Sequence, residues 1–333
     1  MLLAAPQWML DQIACDLAPF QDGIDEATLN SLMDEELSLR DLLFRFKITN
    51  NNISVTTHPD YVKHPRMKAF QSYLRRLASK KSLSDVDFVV SMHDALLNND
   101  NKNPIFVFSK NKNLEGAILI PDLYALIGYD KLTKKVQKGV QVWPWERKKE
   151  IAFWRGATTG GDYNINDWKN MPRTQLVTLS RDHPALIDAK FVGFHQGADK
   201  NPEMLEESSW LLGKKVSEAD SLRYKYLVDI DGNSCGWNRL YWTLLSNSVV
   251  FKQQSDNIEW YYGILVPYRH FIPIANDCSD LIDQMAWAHV HDDECREIAE
   301  NATEFALENL NPNAIDEYFY LLLLEYAKLI KQE

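Results

Sequence analysis

A chain of 333 residues is long enough for two domains, each with its own hydrophobic core. Its 45% hydrophobic and 25% charged residues match a soluble globular protein, and a net charge of −11 argues against nucleic acid or an anionic membrane face as partner. Four scattered cysteines (Cys15, Cys235, Cys278 and Cys295) lack metal-ligand spacing and read as the reduced thiols of a cytosolic protein.

In chain order, the opening MLLAAPQWMLDQ has no basic residue before its apolar part and is interrupted by Pro6, unlike a signal peptide. The longest strongly apolar run, Tyr318–Leu324, is too short to span a bilayer. Residues 8–46 read as helices, with apolar residues at helical spacing in DEATLNSLMDEEL and acids near its start. FRFKITNNNISVTT alternates about an Asn-rich turn and predicts a hairpin, followed by a helix over about Pro65–Ala78. From residue 86 the rhythm becomes strand, loop, helix. VDFVVSMHD, PIFVFSK, EIAFWRG, AKFVGF, YKYLVDIDG, NSVVFKQ and HFIPIA are the predicted strands, with helices such as RTQLVTLSRDHP and NRLYWTLLSN between them. Such alternation predicts parallel sheets covered by helices. The basic, polar segment Lys131–Glu150 is the expected domain boundary. Towards the end, Ser279 is expected to cap a helix that buries Leu281, Met285 and Ala288, and Pro312 to open the last helix.

Several strand ends carry residues fit for chemistry, and open α/β sheets bind ligands beyond such ends. IAFWRGATTGG breaks from an apolar strand into three glycines, Gly156, Gly160 and Gly161. It has neither the lysine of a Walker loop nor the G-x-G-x-x-G spacing of a dinucleotide fingerprint. Arg155 and the amides of Gly156–Thr158 would nonetheless suit a phosphate, the competing reading being a plain surface loop. Arg173 opens the next helix, and Arg239 lies in DGNSCGWNRL, where a strand gives way to a helix near Trp237. A guanidinium at a helix start is a strong anion receptor. Asp229 and Asp231 form a D-x-D pair that suits a cation but reads better as a strand end, and His289 and His291 read as a solvated face. Asp94 ends the first β-run and can serve as a general base; neighbouring His93 could do the same from the opposite face of the strand, and Asp100 lies further off and reads as a solvated turn residue.

Taken in order, FVVSMHD, PIFVFSK, VWPWERKKEIAFWRG, YKYLVDIDGNSCGWNRL and EWYYGILVPYRHFIPI resemble glycosyltransferase family 90, from Asp16 to about Leu310. The family includes protein O-glucosyltransferases, capsule-associated xylosyltransferases and lipopolysaccharide glycosyltransferases. The resemblance implies a GT-B type α/β fold of two Rossmann-like domains facing a cleft. These would be an acceptor-side domain over 1–140, a nucleotide-sugar domain over 141–310, and a C-terminal helix over 311–333 packing back across them. It further implies inverting transfer of glucose or xylose from a UDP-sugar to a glycan or glycolipid hydroxyl, with no required metal or cofactor. Asp94 matches the base. Arg155, Gly156, Ala157, Thr158, Arg173, Ser234, Gly236, Trp237, Arg239 and, in EWYY, Glu259 match donor contacts. Ala157 departs from the serine of the protein O-glucosyltransferases, so Thr158 or Thr159 is expected to supply the hydroxyl. With no signal sequence read, the expected setting is a bacterial cytoplasmic enzyme of lipopolysaccharide or surface-polysaccharide synthesis, near the membrane only through a lipid-linked acceptor. A non-catalytic carbohydrate- or nucleotide-binding protein of the same fold is the competing expectation.

Overall fold

The computed structural model describes residues 5–96 and 102–331, so Asp100 lies outside the described residues. The chain divides into two compact units. One comprises Met1–Gly128, Asp256–Ile264 and Asn311–Glu333; the other comprises Tyr129–Ser255 and Leu265–Leu310. No helix among the described residues is long and apolar enough to cross a membrane.

The first unit is built on a mixed sheet in the order β2-β1-β3-β4-β6: β1 (Leu43–Thr49), β2 (Asn52–Thr57), β3 (Val86–Ser91), β4 (Ile105–Val107) and β6 (Ala117–Leu119). In β1, Phe44, Phe46 and Ile48 are buried while Lys47 and Thr49 are exposed, the alternation of a strand with one wet face. Asn50 (φ 50°) and Asn51 (φ 61°) close the hairpin to β2 in two residues, using the left-handed conformation that asparagine tolerates. β3 is buried at every position, as a central strand requires, and runs parallel to β4, which in turn runs parallel to β6. The short β5 (Lys110–Asn111) pairs antiparallel with β11 (Asn257–Ile258), which draws residues 256–264 into this unit.

Two of the helices packed on this sheet show the burial pattern clearly. Pro65–Lys80 buries Met67, Phe70, Leu74 and Leu77 at helical spacing, and Pro312–Ala327 buries Ile315, Phe319, Leu322 and Tyr326. Phe70 meets Phe46 with centroids 5.0 Å apart and Phe319 edge-on at 5.8 Å. One buried ion pair joins the pieces. Lys110 Nζ lies 2.6 Å from Asp16 Oδ1 and donates to Ala117 O at 2.7 Å, while Asp16 Oδ2 accepts from Leu119 N at 3.0 Å.

The second unit is an all-parallel sheet in the order β8-β7-β9-β10-β12: β7 (Lys149–Gly156), β8 (Ile187–Phe191), β9 (Tyr224–Asp229), β10 (Val249–Gln253) and β12 (Ile272–Ile274). Counted along the chain, this is a 2-1-3-4-5 doubly wound order, which reverses direction between β7 and β9. Helix Pro172–Asp182 crosses from β7 to β8, and helix Asn238–Leu244 crosses from β9 to β10. Trp154, Trp168, Leu176, Phe191, Tyr226 and Phe251 belong to one core cluster.

Residues 131–150 depart from the sequence expectation. Instead of a polar boundary they form helix Asp130–Val142, a 3-10 turn at Trp145–Arg147, and the start of β7. Leu132, Val136, Gly139 and Val140 make a helical stripe that the surrounding lysines disguise; Val136 and Gly139 are buried. Tyr129, just ahead of that helix, stacks on Tyr241 at 3.7 Å, so residues 129–140 lie with the second unit, not the first. The C-terminal segment lies with the first. Ser279 is not the cap of its helix. The N-cap is Asp280, whose Oδ1 accepts from Ala275 N, but Leu281, Met285 and Ala288 are buried as expected.

Replacing Asp16 by alanine leaves the Lys110 ammonium buried without its counter-charge. Urea denaturation should register a loss of about 3–5 kcal/mol, whereas a change within about 0.5 kcal/mol would show that the pair does not hold this unit together.

Candidate functional site

The topological switch point of the second unit lies beyond the carboxyl ends of β7 and β9, and two loops meet there: Gly156–Gly161 and Ile230–Trp237. Their glycines answer to close packing. The Trp154 ring lies against Gly156, where a Cβ would come 2.3 Å from its Cζ2. Gly160 (φ 100°) faces Gly232 across the two loops, and a Cβ on it would meet Gly232 O at 2.6 Å. Asn233 and Gln196 secure the contact. Gly160 N donates to Asn233 Oδ1 at 3.1 Å and to Gln196 Oε1 at 2.9 Å, and Gln196 Nε2 donates to Asn233 Oδ1 at 2.6 Å.

Arg173, in the first turn of helix Pro172–Asp182 and only 9% exposed, clamps the loops from behind. Its Nε donates to Asp231 O at 2.7 Å, Nη1 to Ala157 O and Thr159 Oγ1 (both 2.7 Å), and Nη2 to Ile230 O at 3.3 Å. Burial, with the neighbouring Arg239 charge, lowers its pKa to about 10, so it stays cationic at neutral pH.

The three arginines expected at the donor site play different parts. β7 alternates, so Trp154 turns into the core and Arg155 to the opposite face. There Arg155 Nη2 pairs with Asp188 Oδ1 at 2.7 Å, Nη1 donates to Asp188 O and Trp154 O, and Nε donates to Lys214 O. Arg155 therefore enters the site through its carbonyl oxygen, not its guanidinium. That carbonyl accepts from Arg239 Nη2 at 2.6 Å, and no other hydrogen bond to the Arg239 guanidinium is found among the described residues. Arg173 and Arg239 both lie over the Trp154 ring, at 5.5 and 5.7 Å from its centroid. Burial lowers the Arg239 pKa while Asp229 and Glu218 oppose the shift. Arg239 is thus the guanidinium with donors left for an anion.

The remaining residues fall into place around these. Ala157 contributes its carbonyl to Arg173. The expected substitute hydroxyls are engaged within the protein: Thr158, fully buried, donates to His195 O and accepts from His195 N, and Thr159 accepts from Arg173. Ser234 Oγ accepts from Cys235 N, and Gly236 O accepts from Arg239 N. Trp237 (φ 47°, ψ −123°) caps helix Asn238–Leu244 in a conformation that a bulky residue rarely adopts. Gln196, Asn233 and Trp154 were not read as site residues; the only signal for them was their position at or beside strand ends.

Asp94 and Glu259 stand in the first unit. Asp94 follows β3, with its carboxylate half-exposed. Arg66, from the first turn of helix Pro65–Lys80, donates to Asp94 Oδ1 and to Met92 O (2.7 Å each), and Ser109 Oγ donates to Asp94 O. His93 turns to Arg40 O. Glu259 directly follows β11 and is buried.

The sequence model described as Glycosyl transferase family 90 matches residues 5–333. The chain belongs to that family. Protein O-glucosyltransferase 2 of Danio rerio is 29% identical over 328 residues, covering 96% of this chain and 62% of that protein. Protein O-glucosyltransferase 3 of Rattus norvegicus is 30% identical over 304 residues, 87% and 55% of the two chains. This family-90 chain thus spans a little over half the length of these relatives. Among solved structures it is similar to Anabaena HepE in complex with UDP-glucose, at 13% identity and a TM-score of 0.39, covering 58% of this chain and 53% of that one.

Within the family-90 chain, replacing Arg173 by methionine strands three carbonyls and a hydroxyl. Chemical denaturation should show a loss of about 2–4 kcal/mol, against under about 1 kcal/mol for Arg239→Met, which strands one. Equal losses would contradict the clamp.

Proposed function

We propose that the protein is an inverting glycosyltransferase of GT-B type that moves a sugar, glucose or xylose, from a UDP-sugar to a hydroxyl of a glycan or glycolipid. Family membership supports the reaction class. The observation that carries the donor assignment is Arg239: a partly exposed cation with unused donors, at the switch point of a doubly wound sheet. The proposed setting is the synthesis of lipopolysaccharide or a surface polysaccharide in a cytoplasm, with membrane proximity only through a lipid-linked acceptor.

In this reading the acceptor hydroxyl attacks the anomeric carbon as the glycosidic bond to the diphosphate breaks, through an oxocarbenium-like state. Asp94 takes the hydroxyl proton, its carboxylate oriented by Arg66. The bonding pair leaves with UDP, whose growing negative charge Arg239 meets, without a required metal. Arg173 acts at one remove, by fixing the carbonyls of Ala157, Ile230 and Asp231 and so the course of both loops. Ala157 and Thr158 contribute backbone rather than a hydroxyl.

Two variants separate these roles. Arg239→Met should weaken UDP-sugar binding by at least about tenfold in calorimetric titration with the unfolding midpoint almost unmoved; unchanged affinity would remove Arg239 from the donor site. Asp94→Asn should bind donor normally yet lose transfer, by about a hundredfold or more, to glycan, glycolipid and protein acceptors assayed in parallel. An Asp94→Asn protein that still transfers would sink the base assignment, and wild-type protein that binds donor but never turns over would favour a non-catalytic binding protein.

A further inference from the structure

We propose that Asp229 is a positioning residue for the donor's diphosphate, and that donor binding takes up a proton on its carboxyl group. The proposal rests on the reading of the β7/β9 switch point as the donor site and adds a residue that competes with the donor for the charge of Arg239.

Asp229 is the last residue of β9, only 1% exposed, and its Oδ1 has no hydrogen-bond partner among the described residues. It is held there by the loop above it. A Cβ on Gly236 would come within 2.2 Å of that same oxygen, so the carboxyl group is pressed against the backbone that leads into Arg239. A buried acceptor without a donor is costly as an anion and comfortable as an acid.

The charges around it are mixed. Lys252 lies opposite in register on β10, Asp231 follows in the same loop, Arg239 faces it from helix Asn238–Leu244, and Arg173 from helix Pro172–Asp182. Burial is the largest influence and raises the carboxyl pKa to about 6; Lys252 is the strongest opposing charge. Near neutral pH the group is therefore poised between its two forms.

A diphosphate engaging Arg239 brings negative charge towards Asp229 and takes up the cation that favours its ionised form. Both effects raise the pKa of the carboxyl further. By linkage, a ligand that raises a group's pKa binds with proton uptake, and its affinity falls as pH rises through the free-protein value. Protonated, Asp229 leaves the Arg239 charge to the diphosphate; ionised, it competes for that charge.

The test is calorimetric titration of the protein with UDP-glucose and UDP-xylose, whose diphosphate diesters do not titrate between about pH 5.5 and 7.5. Each titration is repeated in buffers of low and high ionisation enthalpy. The wild type should take up a fraction of a proton per donor bound, with affinity about tenfold weaker at the upper pH. Asp229→Asn should bind with no proton uptake and a flat pH profile. Wild-type binding whose heat is independent of buffer overturns the proposal while leaving the donor site standing, and needs no variant. An Asp229→Asn protein that keeps the wild-type profile also overturns it. Absence of binding at every pH overturns the donor-site reading, and this proposal with it.

Discussion

The buried guanidinium of Arg173 is the interaction on which the arrangement at the sheet's edge depends. Four hydrogen bonds from one planar group reach acceptors on two separate loops, and no shorter or softer side chain offers that geometry. The carbonyls of Ala157, Ile230 and Asp231 would otherwise lose the donor that ties the two loops together. Because these contacts lie within the protein, the loops hold their course without a ligand, and little ordering is left for a ligand to impose.

That clamp decides how positive charge is distributed. Arg155 is tied to Asp188 across the neighbouring strand and strengthens the sheet, Arg173 builds the loops, and Arg239 keeps all but one of its donors. The ring of Trp154 lies under both Arg173 and Arg239, keeping two like charges in a place where they repel. The buried carboxyl of Asp229 tempers that repulsion. Arginine content alone therefore overstates the number of anion contacts a site can make.

Much of this was legible in the sequence. The runs that became β7, β9 and β10 are long and apolar enough to stand out, and the Asn-rich hairpin and Pro312 at the start of the last helix follow from local backbone chemistry. The position of Arg239 at the start of a helix beyond β9 was legible because a glycine-bearing turn precedes it. The aim of Arg155 could have been read too: Trp154 must face the core, and strand parity then turns its neighbour away. Other features carry no such signal. β5, β6 and β11 span two or three residues, too few for any period to appear. The helix Asp130–Val142 was masked by four exposed lysines on its outer faces. Gln196 and Asn233 matter only through contacts between loops distant in the chain, and the partnership of Arg66 with Asp94 joins residues 28 apart.

Trp237 has a consequence for anyone who would engineer this protein. Its positive φ belongs to a region that favours glycine, at a cost of about 1–3 kcal/mol for other residues. A thermostability design would single out the position, since glycine relieves the torsion at once. The same exchange deletes a buried indole and loosens the backbone immediately ahead of Arg239. Gains in melting temperature are better sought on the outer faces of the helices, where they leave this loop alone.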